Sequence, residues 1–438
     1  MAFNAEIGVV GAGPAGARAA ELLAQHGADV LLLDPKAPWE KPCGGGITAS
    51  AFRAVPDLRE AQHLARRIDR MRLEASAEVL VDIPLDKPLF VIPRIALARW
   101  QLERAVRAGV TFEPASVRRV ERANVGWTLY LSDGAVRRIR RLIGADGAAS
   151  TVRKAVAPDH RVELAPTRVL FAHGAGNTSD SIVMRFFRTV PGYAWNFPRP
   201  DHRSIGLGLE PGDWSRTRLD ADLDNYWETW GRCECVPAMR AGAVIGTAFH
   251  TRRSSYPEIA ADDFALLGDA AGFADPATGE GIQNALRSAQ MVADAYAEHG
   301  SFSAYPRAAF AELESEFRIA RKVRQVLYSW ALPVRLIEAA QRHASVHALL
   351  AAIVHGGNEH DPRVLKNWWR GLRHGRGYRD ETESRFRASA RIGSSDASSD
   401  TLPTNALPCG ITGDVAATTA ALPSRLRSFH IIHSDAGS

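Results

Sequence analysis

The sequence predicts an α/β protein: a discontinuous Rossmann-type dinucleotide-binding domain, an inserted β-sheet substrate domain and a C-terminal helical region. Three observations predict it. A strand–glycine loop–helix–strand unit opens the chain. A second glycine-rich junction between strand and helix lies at Gly268. Between about Thr167 and Leu209 the helical period disappears and strand patterns take over.

Ile7 to Val10 is a short apolar strand, followed by Gly11-Ala12-Gly13-Pro14-Ala15-Gly16 and a helix of small residues, Ala17 to Gln25. In this G-x-G-x-x-G arrangement the first glycine makes the turn, the second lets backbone approach a pyrophosphate, and the third packs helix on strand. A second strand, Val30 to Leu33, ends at Asp34, roughly twenty residues on, where an acid binds a ribose. Gly11, Gly13, Ala15, Gly16 and Asp34 are therefore candidate cofactor-binding residues. The pattern says dinucleotide and leaves NAD or FAD open.

Residues 70 to 92 alternate in short β-like runs, Met71–Glu74, Glu78–Val81 and Leu89–Ile92. Pro93-Arg94 then leads into a helix over Ala96 to Ala108. Strands near Val117–Val120 and Trp127–Leu131 follow, and Asp133-Gly134 signals a hairpin. Arg141 to Gly147 returns to the nucleotide-binding pattern. In the β region Tyr193, Trp195 and Phe197 share one strand face by period two, ahead of Pro198. Helix is expected from about Ile282 to Gly356, broken at Pro306 and Pro333. The composition after Thr382, rich in Ser, Ala, Thr, Asp and Gly, predicts a disordered tail. The expected domains are 1–70, 93–160 and 245–300 for the dinucleotide, 71–92 and 161–244 for the β-sheet, 301–380 for a helical cap, and 381–438 for the tail.

Gly268 to Ile282, GDAAGFADPATGEGI, carries the most chemistry. An acid ending a strand, Asp269, can accept hydrogen bonds from ribityl hydroxyls. Gly279 and Gly281, opening the helix at Ile282, let bare N–H groups approach an electron-rich ring, where the helix dipole favours negative charge. Reduced flavin is negative along one edge of its ring, so the loop suits a flavin.

Composition excludes more than it selects. A net charge of +5 and a pI of about 9.1 permit an anionic partner, but no helix-turn-helix, finger or RNA-binding signature accompanies them, so no nucleic acid is expected. No apolar run spans a bilayer and no secretion signal opens the chain, which predicts a cytoplasmic protein. The basic, Trp-containing run Lys366 to Arg379 permits peripheral association at the inner face of the membrane. Cys233 and Cys235 lack a second pair or a histidine cluster, so no metal is expected, and the spread cysteines fit a reducing compartment. His173, His202 and His250 stand singly and are read as structural.

With these motifs the chain resembles the geranylgeranyl reductase family, within the FAD-dependent oxidoreductases shaped like p-hydroxybenzoate hydroxylase. The likeness covers about residues 4 to 300 well and extends loosely to about 380. It rests on the N-terminal glycines, on Gly144-Ala145-Asp146-Gly147 with Ser150 and Arg153, and on Gly268-Asp269 with Pro276 and Gly279-Glu280-Gly281-Ile282. It rests also on Lys41-Pro42-Cys43-Gly44-Gly45-Gly46 paired with Tyr193-x-Trp195-x-Phe197-Pro198. Ala98 departs from the acid often found after Arg94, and Asp34 stands where Glu is commoner.

The resemblance implies non-covalent FAD held also by Cys43, Gly44, Gly45, Arg94, Asp146, Gly147 and Ile282, with electrons from NAD(P)H or another donor. It implies saturation of carbon–carbon double bonds in a hydrophobic isoprenoid substrate, with Cys43, Trp195 and Tyr193 catalytic. Tyr193, Trp195, Phe197 and Pro198 then form the substrate pocket. Such an alkene needs a proton at one carbon as hydride reaches the other, and water kept out. Cys43 either donates that proton or only fits against the ring, and Lys41 is assigned no chemical role. Two alternatives stay open: an FAD-dependent aromatic monooxygenase or halogenase, whose Trp-x-Trp-x-Ile-Pro stretch the Tyr193 strand partly matches, and a lipid-binding flavoprotein without turnover.

Overall fold

A parallel core strand bearing the glycine loop sets the architecture. The computed structural model describes residues 2–173, 180–188, 191–210, 212, 215–230, 236–247, 259–327 and 332–355, all within the first of two compact units, Met1–Arg376. His250, Cys233, Cys235, the run Lys366 to Arg379 and the tail lie outside the described residues.

The chain runs β1 (Ala5–Val10), α1 (Pro14–Gln25), β2 (Val30–Leu33), β3 (Gly46–Ile47) and α2 (Ala49–Ala54). A short helical segment, Pro56–Leu64, leads to β4 (Arg66–Glu74), β5 (Leu80–Val91), α3 (Arg94–Arg107) and β6 (Thr111–Glu113). Then come β7 (Val117–Arg122), β8 (Trp127–Leu131), β9 (Val136–Gly144), α4 (Thr151–Val156) and β10 (Glu163–His173). The β-rich stretch continues with β11 (Ser181–Phe186), β12 (Gly192–Pro198), β13 (Arg203–Leu209), α5 (Arg216–Trp230) and β14 (Val236–Thr247). The described chain closes with β15 (Phe264–Leu266), α6 (Ile282–His299), α7 (Tyr305–Leu327), α8 (Leu332–Ala340) and α9 (Ala344–His355).

Two sheets result. The first has seven strands in the order β6-β2-β1-β9-β8-β7, with β15 also on β9. The pairs around β1, β2, β6, β9 and β15 are parallel, and β7-β8-β9 is an antiparallel meander. Its core joins Ile7, Val9, Leu32, Ile143 and Leu266 to α1, α6 and α7, near-continuous apolar strands of the kind a sheet covered on both faces requires. The second sheet runs β14-β10-β13-β12-β11-β4-β5-β3, antiparallel except for β11 on β4. Leu219 and Leu223 of α5 cover one face, against Leu170, Ala194 and Leu207. Ile337 of α8 and Leu350 of α9 pack with Leu73 and Ile83 near the β4–β5 end.

Three local outcomes differ from the sequence pattern. The sequence separates Glu78–Val81 from Leu89–Ile92, but β5 is one strand that carries Pro84 and Pro88 and a register irregularity opposite Ile68 and Arg70. Pro306 and Pro333 sit in the first turn of α7 and α8, where no N–H is needed. The stop after α6 is Gly300, whose φ of 63° is left-handed. Gly46–Ile47 and Arg66–Arg70 belong to the second sheet although they stand in a stretch read as dinucleotide-binding.

Candidate active site

Each site segment hangs on a strand end. After β1, Gly11 takes φ +99°, and a Cβ there would lie 2.4 Å from the Ala145 carbonyl oxygen, so only glycine makes this turn. Gly13 caps α1 without a side-chain hydrogen bond, has open space around it, and no acid occupies the first turn. The helix therefore presents free N–H groups to an anion. At the end of β2, the Asp34 carboxylate accepts from Ala12 N at 2.8 Å, Lys36 N at 2.8 Å and Ala37 N at 3.0 Å. Lone pairs remain for a ribose hydroxyl.

After β9, Asp146 does something the sequence does not announce. Its carboxylate accepts from Ser150 Oγ, from Thr151 N at 2.7 Å and from Val152 N at 3.2 Å, capping α4. Burial pushes this carboxyl up, with those hydrogen bonds opposing. Arg153 donates to Ala148 O and Ala270 O, tying this turn to the Asp269 loop. Gly147 has a left-handed φ of 81° and open space beside it.

At the third junction Asp269 is paired with Lys41, Nζ to Oδ2 3.3 Å, with side chains 14% and 31% exposed. Lys41 thus fixes the acid of one signature segment from another. A Cβ on Gly281 would stand 3.0 Å from Asp269 Oδ1, and Gly281 caps α6 with no side-chain bond. The carboxylate and an open helix N-terminus are brought side by side. The Tyr193 hydroxyl donates to Thr278 O at 2.7 Å, closing the second sheet over the same loop. Burial pushes its phenol well up, and the charges of Asp275, Cys43 and Glu280 add to this.

The Cys43 loop is held by residues that sequence reasoning missed. Arg199, fully buried at the β12–β13 turn, pairs with Glu40 and donates to Cys43 O at 2.6 Å and Gly44 O at 3.3 Å. Glu40 also accepts from Arg94 N and Ile95 N at 2.9 and 3.0 Å, capping α3. No periodic or motif signal marks either residue. Arg94 Nη1 donates to Cys43 Sγ at 3.2 Å, while Arg94 Nε is buried without an acceptor among the described residues. Burial alone would raise the half-buried Cys43 thiol, but the charges of Arg94 and Arg199, the Arg94 hydrogen bond and the Lys41 charge together bring it below its ordinary value.

Comparison with known proteins agrees with this geometry. The FAD binding domain family matches residues 4–304. Menaquinone reductase of Mycobacterium tuberculosis is 30% identical over 322 residues, covering 66% of this chain and 76% of that protein. The chain belongs to the geranylgeranyl reductase family of FAD-binding flavoproteins. Geranylgeranyl diphosphate reductase of Synechocystis sp. is 27% identical over 314 residues, 66% of this chain and 74% of that one. In fold, a geranylgeranyl bacteriochlorophyll reductase-like protein from Thermoplasma acidophilum superposes with a TM-score of 0.66 at 19% identity, covering 83% of this chain and 98% of that one.

This member of the family is an FAD-dependent oxidoreductase, and its residues fit the cofactor. Two uncapped helix N-termini, at Gly13 and Gly281, the acids Asp34 and Asp269, and the unsatisfied Arg94 Nε supply the anion cradles, ribose acceptors and spare donor that a flavin dinucleotide needs. The aromatic strand divides its work. Phe197 lies against the Cys43 loop, for a Cβ on Gly44 would be 2.7 Å from its ring. Trp195 is only 5% exposed and packs with Val169 and Phe171; its Nε1 donates to Ser204 Oγ at 3.2 Å, and Ser204 donates on to Cys43 O at 2.9 Å. Pro198 is buried beyond it. His202 is buried between Asp201 and Arg199, and His173 reaches the Asp201 carbonyl. Among the described residues no helix is long and apolar enough to cross a membrane.

Proposed function

We propose that the protein saturates C=C bonds of a geranylgeranyl-type polyprenyl chain carried by a lipid, a quinone or a prenyl diphosphate, with electrons from NAD(P)H or another donor. The observation that carries this reading is the convergence of three segments: the ring of Phe197 on Gly44, and the hydroxyl of Tyr193 on the loop that ends in Gly279-Glu280-Gly281. The menaquinone and geranylgeranyl diphosphate reductases that the chain resembles support the same chemistry.

FAD, when bound, supplies the hydride. The chain does the rest. The first sheet holds the cofactor through Gly11, Gly13, Asp34 and the Asp269–Lys41 pair, and the aromatic face of the second sheet shields the reacting carbons from water. Tyr193 and Phe197 offer π faces to the developing positive charge. Trp195 is a positioning residue: through Ser204 it holds the Cys43 carbonyl. Cys43, among three cations, has its thiol pulled below its ordinary value beside the site. The enzyme works in the cytoplasm at the inner face of the membrane, where so apolar a substrate resides.

Chemically reduced holoprotein, mixed anaerobically with a geranylgeranyl compound, tests this. Flavin reoxidation, with one hydrogen pair gained per bond in the product's mass, is expected, and Cys43→Ala slows it at unchanged flavin content. Oxygen-dependent attack on an aromatic compound, without reoxidation by any prenyl chain, overturns the reading in favour of a monooxygenase or halogenase.

A further inference from the structure

The loop before α6 holds a carboxyl that no step above uses. Glu280 stands between Gly279 and Gly281, and a Cβ on Gly279 would be 4.0 Å from the Tyr193 hydroxyl oxygen. Its Oε1 lies 3.5 Å from Thr48 Oγ1, at the limit of a hydrogen bond. Thr48 Oγ1 is 2.8 Å from Ser50 Oγ, which is also 2.9 Å from Gln283 Oε1. Ser50 and Gln283 line a cavity of about 400 Å³ between α2, α6 and α7, open to solvent and walled by Arg53, Arg287, Glu312 and Glu316. A file of hydroxyls thus runs from bulk water to a carboxyl set in the flavin loop.

We infer that Glu280 is the proton donor of the reaction, recharged from solvent through Ser50 and Thr48. This rests on the reductase reading above. With bound FAD supplying a hydride equivalent to one alkene carbon, Glu280 would release its proton to the neighbouring carbon and be left as a carboxylate, the π bond being consumed as two C–H bonds form. Thr48 then passes its hydroxyl proton to Glu280 and takes one from Ser50, which takes one from water in the cavity. The two electrons of each turnover would come from NAD(P)H or another donor and the proton from water through the relay, so electrons and protons balance.

The two acids of the site are pulled apart. Burial, with the charge of Asp275 beside it, raises the Glu280 carboxyl to about 7, and the Thr48 hydrogen bond opposes this. About half of it is therefore protonated at neutral pH, the poise at which a general acid works best. The charged or titratable groups around it are Asp275 in its own loop, Tyr193 on β12, the Lys41–Asp269 pair beside Gly281, and Arg287 in the cavity wall, itself paired with Glu312 and Glu316. Cys43 is shifted in the opposite direction. The cations around it lower its pKa, and the hydrogen bond it accepts comes from Arg94, which has no proton to spare.

Four holoprotein variants test the assignment, each checked for unchanged flavin absorbance. Glu280→Gln is expected to slow reoxidation by a geranylgeranyl compound about a hundred-fold and to abolish the fall in rate as pH rises through about 7. Ser50→Ala breaks the relay without touching the α2 cap, whereas Thr48 also caps that helix, so Thr48→Val is read beside Thr48→Ser, which restores the hydroxyl. A readout without substrate follows the infrared carboxyl band after a pH jump: it titrates near 7 in wild type, is absent in Glu280→Gln, and re-equilibrates slowly in Ser50→Ala. A Glu280→Gln variant with wild-type rate and pH profile overturns this proposal alone. A wild type that no prenyl compound reoxidises overturns the reductase reading, while the infrared titration still reports on the relay.

Discussion

The Cys43 loop and the Glu280 loop both meet the aromatic face of the second sheet, and they are built in opposite senses. Cys43 is ringed by Arg94, Arg199 and Lys41 and held below its usual thiol range, while Glu280, half-buried beside Asp275, is held above the usual carboxylate range. One loop lowers the pKa of its titratable group and the other raises it. The proposed addition of hydride and proton across a double bond needs the proton source that the raised Glu280 provides, and the two opposite shifts require two different local environments. The contrast also explains the scaffolding. The cationic loop requires a buried guanidinium with its own counter-ion, Arg199 with Glu40, whereas the acidic loop requires only burial and a route to water.

The largest effect is expected from breaking the cationic side. Arg199→Met strands the Glu40 carboxylate and releases the Cys43 and Gly44 carbonyls, and removing one partner of a buried pair costs about 3–5 kcal/mol. Denaturant unfolding of the holoprotein measures this. The double variant Glu40→Gln, Arg199→Met should recover part of the loss. If the single variant unfolds like wild type, the pair does not hold the loop.

A smaller effect, of defined sign, comes from the acidic side. Glu280 in the folded protein is raised to about 7 from an ordinary 4.5, so between those values the folded state binds the extra proton. Its contribution is fully present below pH 4.5 and is lost as pH rises through about 7. Glu280→Gln removes the titration, so the variant should gain on wild type toward alkaline pH by on the order of 1–3 kcal/mol. Melting temperatures of holoprotein across that window report it. Parallel curves for the two proteins would mean that Glu280 is not held protonated.

These two loops also mark how far the sequence can be read. The glycine turn after β1, the acid ending β2 and the flavin loop at Gly268 are legible because local geometry imposes them: a left-handed turn, a close approach and a helix start each select a residue type. The partners that set the chemistry come from far along the chain. Lys41 meets Asp269 across 228 residues and Arg199 meets Glu40 across 159, and no period or spacing encodes such pairs. Asp146 was legible as a motif but not as the cap of α4. Trp195 was legible as a member of an aromatic face, but its burial depends on Gly206, where a Cβ would lie 2.2 Å from the indole.

The smallest expected effect decides what Trp195 does. As a wall of the substrate pocket it would act through its ring, and Trp195→Phe would change the apparent affinity for prenyl chains whether or not Ser204 is present. As a positioning residue it acts through its N–H on Ser204 and so on the Cys43 carbonyl. In that case Trp195→Phe and Ser204→Ala disturb one chain of hydrogen bonds, and their effects must not add. A net hydrogen bond is worth about 1 kcal/mol, so a coupling of roughly that size is expected in a double-variant cycle on the reoxidation rate. The Cys43 alkylation rate gives the same cycle without substrate, because a loosened loop moves the thiol away from Arg94 and slows its ionisation. Strict additivity in both readouts would return Trp195 to the pocket wall and leave the Cys43 loop to Arg199 and Glu40 alone.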